Sequence, residues 1–470
     1  MTDADQAKQQ LMSLFENLPD EQLKKLGARI ELDRNENRFG LPHQAIISLM
    51  RPYLAAVRAP RVYTPQRILC VPFEDIFTNE DVGFKRTGFI HRKNIFPFWR
   101  LISEELMADS FPALADRFVA AQKAGDEDAV AESASTIWAQ AAAALGEALD
   151  PIERDPGAHE AFAERMGGTT VVEDIKEMRA ILSIADHVEA LKKELPHKPI
   201  AVLTGKSVST ILQHYTDIGS ERPGMEIYLL LIVIGRLMQP FPILRVFRSL
   251  SRKGDDAMIR RTDLSIAGEI VIDALEKDAK AAVQVARDFE ASEEEIVRKA
   301  TRFAAAFKGI TTDIGIRRDG EWGQRMYAGR NTVAETMQSR IMAKAEKVIV
   351  GALVKKRAGK MEKLVEWPDE EAFEAAEDRA AALSALYRIS DQLGIRAACQ
   401  NELDDIRKLL NDYSVSLVEE LSRLDKSQHQ PAFANLAVVV RLLELVANSD
   451  EADLLRRRGR AALSGTMLEY

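Results

Sequence analysis

Cysteine is almost missing from this chain. Cys70 and Cys399 are the only two in 470 residues and lie 329 positions apart, a spacing that forms no CxxC unit, disulfide ladder or zinc-binding pair. Both read as buried apolar residues in a reducing compartment, and a cytoplasmic location is expected. Long apolar runs are missing too. The longest, Ile227 to Ile234, spans eight residues, far short of the roughly 20 that a membrane crossing needs, so it reads as a core helix. Residues 1–10 are polar and lack a basic stretch followed by an apolar one, which argues against a secretory signal. Aromatics are scarce, at 6% of the chain, and scarcity of aromatics favours helix over sheet.

Glycine-dependent fingerprints are also lacking. No Gly-x-Ser-x-Gly elbow and no Gly-x-Gly-x-x-Gly dinucleotide motif occurs, which lowers the odds of two common enzyme classes. Thr204-Gly205-Lys206-Ser207 looks like the end of a phosphate-binding loop, but Ile200 stands where that loop needs its first glycine, so Ser207 is read as a helix start. The seven histidines make no HExxH pair, and in the single Glu-x-x-His, Glu194 to His197, Pro196 intervenes. No metal site and no cofactor are expected. A net charge of −9 excludes a chain built wholly to coat nucleic acid, though a local basic face remains compatible with it.

What is present is helical periodicity. The apolar share of 46% and charged share of 29% suit a globular chain that needs no disulfides. The expected fold is predominantly all-α: multi-helix bundles with an irregular aromatic and basic segment at 61–100 that has room for a short β-hairpin. Strands are sought there at Ile68 to Val71 and Gly88 to Ile95. Four regions are expected: N-terminal helices at 1–58, the aromatic and basic segment plus a helical domain at 59–195, a central helical domain at 196–365, and a C-terminal bundle at 366–470. Pro19-Asp20-Glu21 and Trp367-Pro368-Asp369 mark helix starts. Thr170 with Glu173 and Ser292 with Glu295 have capping-box spacing. A helix is expected from Leu264 to Phe289, a glycine-containing loop from Gly309 to Gly329 with Trp322 inside it, and helix again from Thr332 to Val354. Leu403, Ile406, Leu410, Tyr413, Leu417, Leu421 and Leu424 keep a spacing close to a heptad seam, which reads as bundle core.

One segment stands apart. Residues 61–100 hold eight aromatics, about three times the chain average. Within it, Phe84 to Arg100 carries Lys85, Arg86, His91, Arg92, Lys93 and Arg100 with no acid, interleaved with aromatics that include Trp99. Cations beside aromatic faces can hold phosphates or meet an anionic surface. The same pattern also describes core aromatics overlain by long basic side chains. These residues, Lys85, Arg86, His91, Arg92, Lys93, Trp99 and Arg100, are the candidate anion-binding set. Other basic clusters, Arg245 to Lys253 with Arg260 and Arg261, Lys355 to Lys363, and Arg456 to Arg460, read as solvated or helix-end faces.

Three functions follow from these patterns. The leading one is a scaffold or adaptor that presents grooves between helices to partner proteins. A second is an enzyme on a helical scaffold acting on a phosphate-bearing or other anionic substrate, with Arg86, His91, Arg92 and Lys93 as contacts. A third is peripheral association with an anionic membrane through Arg245 to Arg261. Protein partners are expected first, with an anionic ligand or nucleic acid as a further partner class.

Overall fold

The three-to-four spacing of apolar residues becomes helix almost throughout. The structure, a computed structural model, describes residues 3–36, 42–57, 63–80, 84–250, 256–354, 361–447 and 449–465. Two units are distinguished, the first comprising 1–68 and 115–130, the second 69–114 and 131–470.

In the first unit α1 (Asp3–Asn17), α2 (Asp20–Glu36) and α3 (His43–Val57) enclose a small core of Phe15, Leu23, Ile30, Ile46, Met50 and Leu54. The acids expected at the start of α2, Asp20 and Glu21, lie in its first turn, where they complement the positive end of the helix dipole. Buried His43 meets Asp33 at 2.6 Å, so the polar pair enters the core with its partner.

The connection that begins the aromatic segment departs from the strand expected at Ile68 to Val71. Those residues instead close α4 (Pro65–Cys70) and open a 3₁₀ turn, Val71–Ile76. Pro65 suits the first helical position, and the Thr64 hydroxyl accepts a hydrogen bond from the Arg67 amide, so the local signal is a helix start. The short sheet also differs from a hairpin. Strands β1 (Phe77–Thr78) and β2 (Ile90–His91) pair in parallel, Phe77 with Ile90 and Thr78 with His91. Parallel pairing needs a crossover rather than a tight turn, and the intervening residues are drawn away to carboxylates described below.

Helices then follow without interruption by sheet: α5 (Ile95–Arg100), α6 (Phe111–Ala124), α7 (Glu127–Glu153), α8 (Pro156–Met166), α9 (Thr169–Leu182), α10 (Ala185–Glu194), α11 (Gly205–Glu221) and α12 (Glu226–Arg236). The apolar run lies in α12, where Leu229 to Val233 are all buried. Two expected starts are displaced. Helix α9 begins at Thr169 after Gly168, with no side-chain cap, because Gly167 and Gly168 both adopt positive φ, 96° and 127°, and turn the chain two residues early. Glu173 contacts Lys176 at 2.9 Å instead. Helix α11 is capped by Thr204, whose hydroxyl accepts from the Ser207 amide at 3.1 Å. Ser207 thus donates its amide to the capping hydroxyl of Thr204 and does not itself start the helix.

The remaining helices are α13 (Leu244–Leu250), α14 (Asp256–Ile259), α15 (Leu264–Arg287), α16 (Glu293–Asp313), α17 (Glu321–Met337), α18 (Ala345–Gly351), α19 (Glu370–Leu393), α20 (Arg396–Leu421), α21 (His429–Val446) and α22 (Ser449–Gly465). Ser292 caps α16 as its spacing suggests, accepting from the Glu295 amide at 3.2 Å. The loop expected from Gly309 to Gly329 shrinks to 314–320. Its glycines serve close packing rather than chain breaking: a Cβ on Gly309 would lie 2.3 Å from the Phe241 ring. Buried Trp322 belongs to α17 and packs against Gly268 of α15. In the C-terminal part Leu403, Ile406, Leu410, Leu417 and Leu421 of α20 are buried together with Leu383, Leu386 and Leu393 of α19 and Leu436, Val440 and Leu443 of α21, which realises the seam. Asp369 caps α19 by accepting from the Ala372 amide.

A Cβ on Gly268 would sit 2.2 Å from the indole of Trp322. Gly268→Ala therefore overpacks the α15–α17 contact and is expected to cost about 1–3 kcal/mol. Gly205, with nothing within 4 Å, is the control: Gly205→Ala leaves stability unchanged or slightly raised. Urea unfolding of the two variants checks the contrast.

Candidate functional site

The basic residues of 84–100 do not gather on one concavity. Lys85 Nζ donates to Asp174 Oδ1 at 2.6 Å, to Glu177 and to the Phe89 carbonyl at 2.7 Å. Glu177 also accepts from the Gly88 amide at 2.7 Å. Asp174, 0% exposed, accepts from the His91 amide at 2.9 Å and from Asn94 Nδ2 at 2.7 Å, with the His91 ring at 3.1 Å. Two carboxylates of α9 thus fasten the crossover between β1 and β2. Burial pushes Glu177 above the usual carboxyl range even though Lys85 and the Gly88 amide pull the other way.

The other candidates disperse. Arg86 stacks over Phe89 at 4.8 Å and pairs with Asp273 of α15. Arg92 is exposed, with its guanidinium 5.5 Å from the Phe77 ring centre, and Lys93 is exposed. Trp99 packs edge-on against Phe111 at 5.2 Å. Arg100 forms an exposed i,i+4 pair with Glu104 at 3.0 Å. Arg86 lines a cavity of ≈310 Å³ that also includes Asp273, Lys277, Phe77 and Phe89. His91 is buried against Asp174 and does not line it.

The other sequence features are similarly engaged. Arg245 and Arg248 face Asp313 at 3.9 and 3.5 Å, and Arg260 pairs with Glu321; Arg252 and Lys253 lie outside the described residues, as do 355–360. Arg456 lies within α22, paired with Glu444 and Asp453. Among the described residues no helix is long and apolar enough to cross a membrane. Both thiols are buried; burial, with Glu74 adding to it at Cys70, pushes Cys70 up to about 12 and burial pushes Cys399 up to about 11, far from nucleophilic thiolates.

The feature that sequence reasoning passed over lies between α15 and α17. Glu269, Asp273 and Glu276 recur at i, i+4 and i+7, which puts three carboxylates on one face of α15. Arg325 of α17 reaches all three, at 2.7, 2.5 and 2.8 Å. Trp322 Nε1 donates to Glu269 at 2.5 Å. The Glu276 hydrogen bond raises Arg325 against the effect of burial, and the Arg325 hydrogen bond lowers Glu276, so both ions are fixed in their charged forms. Beyond this ladder the helix pair opens into a groove of ≈720 Å³. Its lining combines the short or apolar Ala279, Val283, Ala328 and Gly329 with the longer polar Lys280, Gln284, Arg287, Gln324 and Arg325. Phe289, two residues past Arg287, is 93% exposed.

No family model, curated protein or solved structure matches the chain.

Removing Lys85 leaves two buried carboxylates without their cation, so Lys85→Met is expected to cost about 3–5 kcal/mol. Arg100→Ala, at an exposed pair, costs about 0–1 kcal/mol; equal losses in urea unfolding would refute the distinction. A further acid with a buried side chain, Asp75, gives a pH dependence. Burial raises Asp75, but Lys192, Lys198 and Arg236 together outweigh it and hold the carboxyl below its ordinary 3.8. Its stabilising contribution is therefore complete above 3.8 and is lost as pH falls through the lower folded value. Asp75→Asn should be less stable than wild type near neutral pH, with the gap narrowing in acid, as read by urea midpoints across that range.

Proposed function

We propose that the chain is a cytoplasmic helical adaptor whose docking site for a partner protein is the α15–α17 groove. The observation that carries this reading is the groove itself, whose lining joins Ala279, Val283, Ala328 and Gly329 to long polar side chains of both helices. Helix-in-groove recognition uses that form, an apolar trough that receives one face of a partner helix. Phe289, two residues past the last lining residue of α15 and 93% exposed, is assigned as a further contact of the same partner. The lining spans Glu276 to Arg287 on α15, about 16 Å or three turns at 1.5 Å per residue. The titratable residues with shifted values in the lining, Glu276 and Arg325, are driven further into their charged forms, which suits permanent electrostatic contacts rather than proton transfer. Burial of both cysteines is compatible with a reducing compartment.

Ala328 is exposed in the groove lining, so Ala328→Trp fills the trough without altering the core. Proteins crosslinked to the full chain in cells should include a set that is lost in both Ala328→Trp and Phe289→Ala, while the urea midpoints of the two variants match wild type. An identical crosslinked set in all three proteins would end the docking reading.

A further inference from the structure

We infer that the partner segment recognised by this groove is an acidic amphipathic helix; the inference rests on the docking reading above and assigns its partner class. Helix α15 contributes Lys280, Gln284 and Arg287 to the lining, at spacings of four and three residues. Neither Lys280 nor Arg287 forms a close ion pair among the described residues, although the Lys280 charge does act on Glu276. The one carboxylate in the lining, Glu276, is held twice by Arg325, at 2.8 and 3.0 Å, which itself bonds Glu269 and Asp273 outside the groove. With Glu276 held by Arg325 and acted on by Lys280, the excess charge among the lining residues is positive and lies chiefly at Arg287 and in part at Lys280. Asp288 and Glu290 flank Phe289 but do not line the groove.

Geometry sets the pattern on the partner. Lys280 and Arg287 are seven residues apart, about 10 Å along the axis at 1.5 Å per residue. A docked helix running beside α15 returns to the same face every seven residues, so acids at i and i+7 meet both cations. Its apolar residues between them fall on Ala279 and Val283. Gln324 and Thr332 on α17 are neutral hydrogen-bonding groups and add no competing charge. The chain as a whole carries −9, so long-range steering opposes such a partner and recognition depends on contacts within a Debye length of the two cations.

The test is a displayed library of helix-forming fifteen-residue segments selected on the full chain and counter-selected on Ala328→Trp. Sequences retained only by the open groove should carry Asp or Glu at seven-residue spacing, and their affinity should fall at least tenfold on Lys280→Glu with Arg287→Glu. Groove-dependent sequences that are basic or uncharged would overturn the acidic assignment and leave the docking reading standing. A library that never distinguishes the open from the filled groove would overturn both.

Discussion

The pairing of α15 with α17 rests on Arg325. One guanidinium satisfies three carboxylates spaced along two turns of α15, and Asp273 carries the network on to Arg86 in the aromatic segment. An arginine can do this because its donors are fixed in a planar fork, so several acceptors are met without the rotamer loss a lysine would incur. Trp322 reinforces the same end of the helix pair, inserting over Gly268 while its indole nitrogen donates to Glu269. With one end closed by a large ring and an ionic ladder, the other end is lined by alanine and glycine, and the groove is the consequence.

The aromatic and basic segment illustrates why a charge run read in isolation misleads. Phe84 to Arg100 contains no acid, which suggests positive charge awaiting an anion. The anions are present, but they come from Asp174, Glu177 and Asp273, many residues away in sequence. Lys85, itself largely buried, meets one oxygen of each of two carboxylates that burial alone would disfavour as ions, and the arrangement holds because the other oxygen of each receives backbone or amide donors. The segment is irregular for the same reason. Its backbone bends to deliver Lys85, Gly88 and His91 to α9, and the crossover that results converts an anticipated hairpin into a parallel pair of two-residue strands.

Much of the helical frame is legible in the sequence. The buried stripe of α12, the Ser292 cap and the leucine seam of α20 all follow from local periodicity and hydrogen-bonding chemistry. What local reading misses depends on distant neighbours. Gly309 and Gly323 read as punctuation, yet one faces Phe241 and the other the Arg317 carbonyl, so α16 and α17 pass through positions where a loop is expected. With that loop removed, Trp322, Met326, Val333 and Met337 form a stripe at spacings of four, seven and four, all buried. The carboxylates at 269, 273 and 276 were equally visible as one face of a helix, but nothing in α15 alone reveals that Arg325 would answer them. The groove is a further step removed, since it exists only between residues of two helices.

The ionic ladder and the groove are also coupled through solvent. Arg325 belongs to both, and it and its partners are part-exposed, so water screens their attraction in the open state. A helix lying over Ala279, Val283 and Ala328 covers Arg325 and Glu276 and lowers the effective dielectric around them. The attraction between these already paired ions then strengthens, while their mutual hydrogen bonds limit the desolvation cost. On the proposed docking, binding and the α15–α17 pairing would reinforce each other: a partner filling the trough would tighten the contact that shapes it, and loosening the ladder at Arg325 would weaken the surface on which that partner rests.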